Sequence, residues 1–156
     1  MRNAVVRTML DPFVMSAREC AMQMLQNGTY MQKELSNVAM SEELRRQAEE
    51  VCGQLIGTKH DVMTELFDLK DLVGTDAPDE KVAERVMRIV QWALDDLRQL
   101  HAVVTALEEE SRQDAGVTLA SILVMESAGN ILQAFGQMKS AAEGVLRALR
   151  DTTPSR

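Results

Sequence analysis

Apolar residues recur at alternating intervals of four and three positions along most of this chain. One series contains Leu44, Ala48, Val51, Leu55, Thr58, Val62, Glu65, Leu69 and Leu72. The next contains Val82, Val86, Ile89, Ala93, Asp96, Leu100, Val103 and Leu107. Similar series run from Leu10 to Val38 and from Val117 to Leu149. This spacing predicts one apolar seam along each of four helices, packed as in left-handed helical bundles.

The positions of the helix breakers leave room for four long helices. Proline, which interrupts helices most reliably, occurs only at positions 12, 78 and 154. Asp11 before Pro12 is typical of a helix start, Ser41 of an N-cap and Gly74 of a left-handed C-cap. We predict a single all-α domain over residues 1–156, an antiparallel up-down-up-down four-helix bundle with short flexible termini. Its helices are expected at about 12–38, 41–73, 78–112 and 116–151.

Small residues occupy unusual positions in the first and last helices. The Asn27-Gly28 pair is typical of a turn, yet the first seam passes through Gly28 in phase, so we predict a continuous helix with a weak point there. In the last helix, small residues recur every seventh position at Ala120, Ser127, Ala134, Ala141 and Ala148, and again at Gly129 and Gly136. Because glycine costs about 1 kcal/mol relative to alanine within a helix, we expect these residues to let a neighbouring helix approach closely.

Composition and charge exclude several classes of partner. With 156 residues, 46% of them hydrophobic and 26% charged, the chain is long enough to bury one core. A net charge of −7 and an aromatic content of 3% argue against binding to nucleic acid or to an anionic membrane. The apolar segment 115–138 contains several polar side chains besides Glu126, so we predict the most buried helix of a bundle rather than a membrane span.

The N-terminal segment and the cysteines both favour the cytoplasm. Arg7 and Asp11 interrupt the apolar residues near the N-terminus, so no signal peptide is predicted. In antiparallel helices, Cys20 and Cys52 are expected roughly 12 Å apart along the bundle, which is beyond the reach of a disulfide. We therefore predict two free, mostly buried thiols and a reducing compartment.

The ionisable residues offer little for catalysis. His60 and His101 are the only histidines, and no metal-binding, nucleophile or phosphate-loop motif occurs. We predict a protein that is not an enzyme and that binds no metal or cofactor. The acidic seam residues Glu65 and Asp96 are expected to pair with a nearby Lys or Arg, and Lys59 is the expected partner of Asp96.

A second apolar row on the second helix is the candidate binding site. Ile56, His60, Met63 and Phe67 follow the spacing i, i+4, i+7, i+11 of one helical face. His60 and Phe67 lie roughly 100° or more from the centre of the seam, beyond the usual reach of a four-helix core. We predict that this row docks a helix of a protein partner, with a second copy of the chain as the first choice and a homo-oligomer as the result.

Three classes of function are compatible with the sequence. The first is a non-catalytic protein–protein interaction module, such as an adaptor, an assembly factor or a small acidic chaperone. In size and acidity the chain resembles the small acidic chaperones of bacterial export systems, although no motif assigns it to that family. The second is histidine phosphotransfer at His60, although the familiar Lys-Gly after the histidine is missing. The third is a purely structural, self-assembling bundle.

The end of the third helix carries an unusual run of acids. Residues 108–110 are all glutamates, and acids at a helix C-terminus oppose the helix dipole. We expect a solvated acidic tip there, with a dock for a basic partner as the alternative.

Overall fold

Four long helices make up the computed structural model, which describes residues 4–114 and 118–152. They are α1 (Ala4–Glu34), α2 (Glu42–Gly74), α3 (Asp79–Asp114) and α4 (Leu119–Thr152), with a short 3-10 helix (Leu35–Asn37) after α1. No strand occurs within these ranges. Each helix packs against its neighbours in the chain, and α4 packs against α1. The fold is therefore the predicted antiparallel four-helix bundle.

The buried residues follow the predicted seams on all four helices. On these seams Met24 of α1, Leu55 of α2, Ile89 of α3 and Ile131 of α4 are completely buried, while Phe13, also completely buried, lies outside the predicted seam. Burying a side chain of this size contributes about 1.5–3 kcal/mol relative to leaving it exposed. The contacts of α1 with α4 and with α2 are the most extensive, and the contact between α3 and α4 is the smallest of the four. Helix α1 is therefore held firmly on both sides.

Helix α1 begins at Ala4 rather than near residue 12. Pro12 lies inside the helix, where it cannot donate the usual backbone hydrogen bond, and an interior proline costs about 3 kcal/mol. Val6 and Leu10 precede it and are almost fully buried, and two such side chains together contribute about 3–6 kcal/mol. The predicted start at Asp11 and Pro12 is therefore wrong, because burial outweighs the missing hydrogen bond. The predicted start of the last helix, at residue 116, lies outside the described residues.

Helix α1 continues through Gly28, as predicted. Gly28 is buried, and a Cβ atom added to it would lie 3.3 Å from both Ile56 Cγ1 and Leu55 Cβ. The side-chain amide of Asn27 donates a 3.0 Å hydrogen bond to the Gln23 carbonyl one turn earlier. Glycine at position 28 thus allows a close approach of α1 and α2, and the neighbouring asparagine bonds within the helix instead of forming a turn.

The small residues of α4 divide into two groups. Ala134 and Ser127 are buried, and the other members of their column pack partly buried against the core. Gly129 and Gly136 are exposed, and a Cβ atom added to either would meet nothing within 4 Å. The expectation of close packing is therefore wrong for these two glycines. At Gly144, which the pattern did not include, an added Cβ would lie 2.8 Å from Cε of a methionine in α1, the flexible end of that side chain.

The turn between α2 and α3 uses an aspartate in place of the predicted glycine. Gly74 is the last residue of α2, and Asp76 has a φ of 55°, the left-handed conformation that was predicted for Gly74. The Ala77 N–H donates to the Leu72 carbonyl at 2.9 Å and closes the turn. Aspartate is one of the few residues besides glycine that adopt this conformation readily.

The acidic end of α3 caps the N-terminus of α2. The Ser41 hydroxyl accepts a hydrogen bond from the Leu44 N–H, so Ser41 is the N-cap, as predicted. Glu110 accepts hydrogen bonds from both the N–H and the hydroxyl of Ser41, each at 2.8 Å. Its carboxylate thus lies at the partially positive end of α2, which favours a negative charge. This contact offsets the unfavourable position of Glu110 at the end of its own helix.

The two acidic seam residues have different partners. Glu65 forms an ion pair with Arg85 across the α2–α3 contact, which agrees with the prediction. Asp96 is buried and accepts a hydrogen bond from the Thr58 hydroxyl, so the predicted pairing with Lys59 is wrong. Lys59 is the next residue along α2 and points to a different face, because neighbouring positions on a helix differ by about 100°.

Both thiols are buried and unpaired, as predicted. Burial, together with the smaller effect of the Glu19 charge, raises the pKa of Cys20 to about 12. Burial and the Glu49 charge raise the pKa of Cys52 to about 11. Since the thiolate is the reactive form, both cysteines are expected to react slowly in the folded chain.

Helix α4 is apolar on more than its buried side. Among the described residues, it is the one helix whose length and composition would suffice to cross a membrane, and 33% of its most apolar window is buried. Leu119, Ile122 and Leu132 are exposed. The segment therefore packs one side against the bundle and leaves apolar side chains on its outer face.

Candidate protein-binding groove

The four residues of the predicted row have different surroundings. Phe67 is 64% exposed, and His60 is exposed as well. Met63 is half-buried and packs against the core. Ile56 is half-buried at the contact with Gly28 of α1. The row therefore runs from a helix–helix contact at Ile56 to an open surface at Phe67.

Met63 and Phe67 form part of one wall of a groove between α1 and α2. The groove has a volume of about 630 Å³. Its lining consists of Arg7, Leu10, Asp11, Val14 and Arg18 from α1 and of Met63, Leu66, Phe67, Leu69, Lys70, Val73 and Gly74 from α2. The structure thus brings two of the four predicted residues together with a set from α1, and it leaves Ile56 and His60 outside the groove.

The groove occupies the end of the bundle where α1 begins and α2 ends. Because the two helices are antiparallel, Arg18 and Met63 lie at one end of the groove, and Arg7 and Gly74 lie at the other. Each lining stretch spans roughly 16 Å at the helical rise of 1.5 Å per residue. The close contact of Gly28 with α2 lies beyond Arg18, about ten residues or 15 Å further along α1.

The floor of the groove belongs to the bundle core. Leu10, Leu66 and Leu69 are almost fully buried, and Val14 and Val73 are half-buried and pack against the core. Packing into the core restricts the movement of these side chains. The groove is therefore a preformed apolar surface on two rigid helices, which is the usual character of a binding site.

The rim of the groove is basic. Arg7, Arg18 and Lys70 are exposed there, and Asp11 is the one acid among the lining residues. Within the described part of the chain, none of these three cations forms an ion pair. The chain as a whole carries a net charge of −7. This groove is therefore a local basic region on an acidic protein.

The groove offers binding contacts and few reactive groups. Its lining contains no histidine, cysteine, serine or threonine among the described residues. Across residues 4–114 and 118–152, no group of three or more His, Cys, Asp or Glu side chains could hold a metal ion. Apolar burial along the floor and ionic contacts at the rim are what these side chains can supply to a ligand.

The sequence pattern did not predict the residues of α1 that line the groove. Helical spacing within α2 identified Met63 and Phe67, but a groove needs the facing surface of a second helix. The predicted start of α1 near residue 12 also left Arg7 outside any helix. One usable signal was present, since Arg7, Asp11 and Arg18 follow the spacing i, i+4, i+11 of one helical face.

Comparison with protein-family models gives no match, and comparisons with curated proteins and with solved structures give no significant match.

Proposed function

We propose that this protein is a non-catalytic protein–protein interaction module, an adaptor, assembly factor or small acidic chaperone that holds an apolar segment of a protein partner. The observation that carries the proposal is the position of Phe67, which is 64% exposed on the wall of a preformed apolar groove. Phe67 is one of three phenylalanines in a chain with 3% aromatic residues. An aromatic side chain left uncovered beside a groove is typical of an anchor at a binding interface.

The neighbouring side chains suit such an anchor. Met63 lies one turn before Phe67 on the same wall, and its unbranched, polarisable side chain adapts to the shape of a bound apolar group. Leu66 and Leu69 beneath them are fixed in the core. A partner would therefore meet a rigid floor and an adaptable wall, a combination that supports binding of related but unequal apolar segments.

The test compares three glutamate substitutions in the full chain. Phe67→Glu and Met63→Glu place a charge on the groove wall, whereas Met87→Glu places one on α3, where Met87 is 50% exposed and does not line the groove. We expect helical circular dichroism to stay unchanged in all three. We expect stoichiometric partner binding from a lysate of the source cells to fall at least about tenfold for the two groove variants, which corresponds to about 1.4 kcal/mol.

The Met87→Glu variant serves as the control and should bind as the wild type does. Equal partner recovery with wild type, Phe67→Glu and Met63→Glu would mean that the groove is not the binding surface. Native mass spectrometry of the same samples separates a foreign partner from self-association, because a second copy would appear as a doubled mass.

A second candidate function is histidine phosphotransfer at His60. The supporting observation is that His60 is exposed in the middle of α2, while Gly53 and Gly57 on the preceding turns leave open space around them. The imidazole would take a phosphoryl group from an acyl phosphate on a partner, which would leave as a carboxylate. An acid-labile phosphate that is present on the wild type and lost in His60→Gln would favour this function over the first.

A further inference from the structure

We propose that the occupant of the groove is an amphipathic helix of a different protein, with carboxylate side chains flanking its apolar face. This inference rests on the proposed function and adds the chemistry of the partner. It is carried by the combination of an apolar floor, a length that suits a short helix, and unpaired cations distributed along the rim.

The positive charge of the rim favours a partner with negatively charged side chains. The lining contains three cations, Arg7, Arg18 and Lys70, and one acid, Asp11. This leaves a local excess of two positive charges (three minus one). The three cations form no ion pair within the described residues. A ligand that brings acids beside its apolar groups would therefore gain ionic contacts without breaking existing ones, and opposite charges at a rim also raise the rate of association.

The shape of the groove selects a helix. The two walls, formed by the antiparallel helices α1 and α2, are each roughly 16 Å long, which matches about three turns of a bound helix. The floor is apolar along this length, from Leu10 to Leu66 and Leu69. An amphipathic helix places apolar side chains at positions i, i+3, i+4 and i+7, which can fill such a floor, and it leaves its flanking positions beside the rim.

The distribution of the cations argues against a single-headed ligand such as a fatty acid. Arg7 and Arg18 lie at opposite ends of the groove, and Lys70 lies between them on the facing helix. An amphiphile with one carboxylate would satisfy one cation and leave the others unpaired. A helix can carry an acid at each end and in the middle, so it matches all three positions.

The same charges argue against a two-fold dimer of this chain formed through this groove. A two-fold contact places the same surface of both molecules face to face. Arg7, Arg18 and Lys70 of the two copies would then approach each other, and like charges at an interface are strongly unfavourable. The charge pattern therefore favours a foreign acidic helix over a two-fold dimer, the simplest form of the homo-oligomer that the sequence alone suggested.

The experiment is a selection from a displayed library of helical peptides of about 18 residues. Each peptide carries leucine, isoleucine, methionine or phenylalanine at i, i+3, i+4 and i+7 and randomised Glu, Gln or Lys at the flanking positions. The baits are the full-length wild type, Phe67→Glu, Met87→Glu and a triple variant with Arg7→Glu, Arg18→Glu and Lys70→Glu. We expect Glu-flanked peptides to be enriched by the wild type and by Met87→Glu, and Lys-flanked peptides by the triple variant.

The affinities of selected peptides give the second measurement. Replacing the flanking Glu residues by Gln should weaken binding to the wild type by about tenfold, since it removes about three ion pairs at the rim. The same replacement should not weaken binding to the triple variant. Higher salt should reduce this difference.

Other results would overturn either the acidic partner or the proposed function, and the selection distinguishes the two. Enrichment of apolar peptides without preference for Glu, or with preference for Lys on the wild type, would overturn the acidic partner and leave the proposed function intact. No enrichment above the Phe67→Glu bait would overturn the proposed function as well. A doubled mass or a bound amphiphile in native mass spectrometry of the purified protein, lost in Phe67→Glu but kept in Met87→Glu, would assign the groove to a second copy or to a lipid instead.

Discussion

Asp96 is a carboxylic acid inside the contact between α2 and α3. Burial is the main effect that raises its pKa, the charges of Asp95 and Asp61 act in the same direction, and the hydrogen bond from Thr58 opposes them. A raised pKa in the folded chain means that folding favours the neutral form. The charged form therefore reduces stability, and this cost begins to shrink as the pH falls through the raised pKa and is gone below the ordinary pKa that Asp96 has in the unfolded chain.

The substitution Asp96→Asn tests this interpretation. Asparagine keeps the shape and can still accept the Thr58 hydrogen bond, but it carries no charge. We expect a higher urea midpoint than wild type at pH 7, with the difference shrinking as the pH is lowered towards the range where Asp96 is protonated. A lower midpoint at pH 7, or a difference independent of pH, would contradict the cost of the buried charge.

At the scale of a single helix, the periodic pattern of the sequence predicts more than its individual glycines and prolines do. The seams of α2 and α3 coincide with the buried residues because apolar residues at this spacing lie on one face of the helix, and that face packs against the bundle. Pro12 and Gly129 show the limit. The effect of a proline or glycine depends on what lies across the helix interface, and the sequence of one helix does not contain that information.

The glycines of α1 and α4 provide a matched test of this point. Gly136→Ala should raise the free energy of unfolding by about 0.5–1 kcal/mol, because alanine favours the helix and the added Cβ meets nothing within 4 Å. At Gly28 the added Cβ would lie 3.3 Å from both Ile56 Cγ1 and Leu55 Cβ, so Gly28→Ala should gain nothing or destabilise. Urea denaturation of both variants makes the comparison, and equal gains would show that α1 and α2 are not in close contact at Gly28.

At the scale of the whole molecule, an acidic bundle carries a basic groove at the end where α1 begins and α2 ends. The sequence predicted the bundle and half of the named site, Met63 and Phe67, because both follow from spacing within one helix. It could not predict Leu10, Val14 and Lys70 as their neighbours, because pairing of α1 with α2 decides which faces meet. It also could not separate Ile56 from Met63, since both are half-buried and only the approach of Gly28 shows that Ile56 lies at a helix contact while Met63 lines the groove.

The most direct measurement of groove binding is methyl NMR of the methionines while the selected acidic peptide is added. The chain has 11 methionines, so the spectrum is simple, and Met63 lies in the groove while Met87 lies on α3, outside it. We predict a large shift of the Met63 methyl signal with saturation at one peptide per chain, an unchanged Met87 signal, and no such shift in Phe67→Glu. Binding that shifts Met87 and leaves Met63 unchanged would contradict the groove as the binding surface.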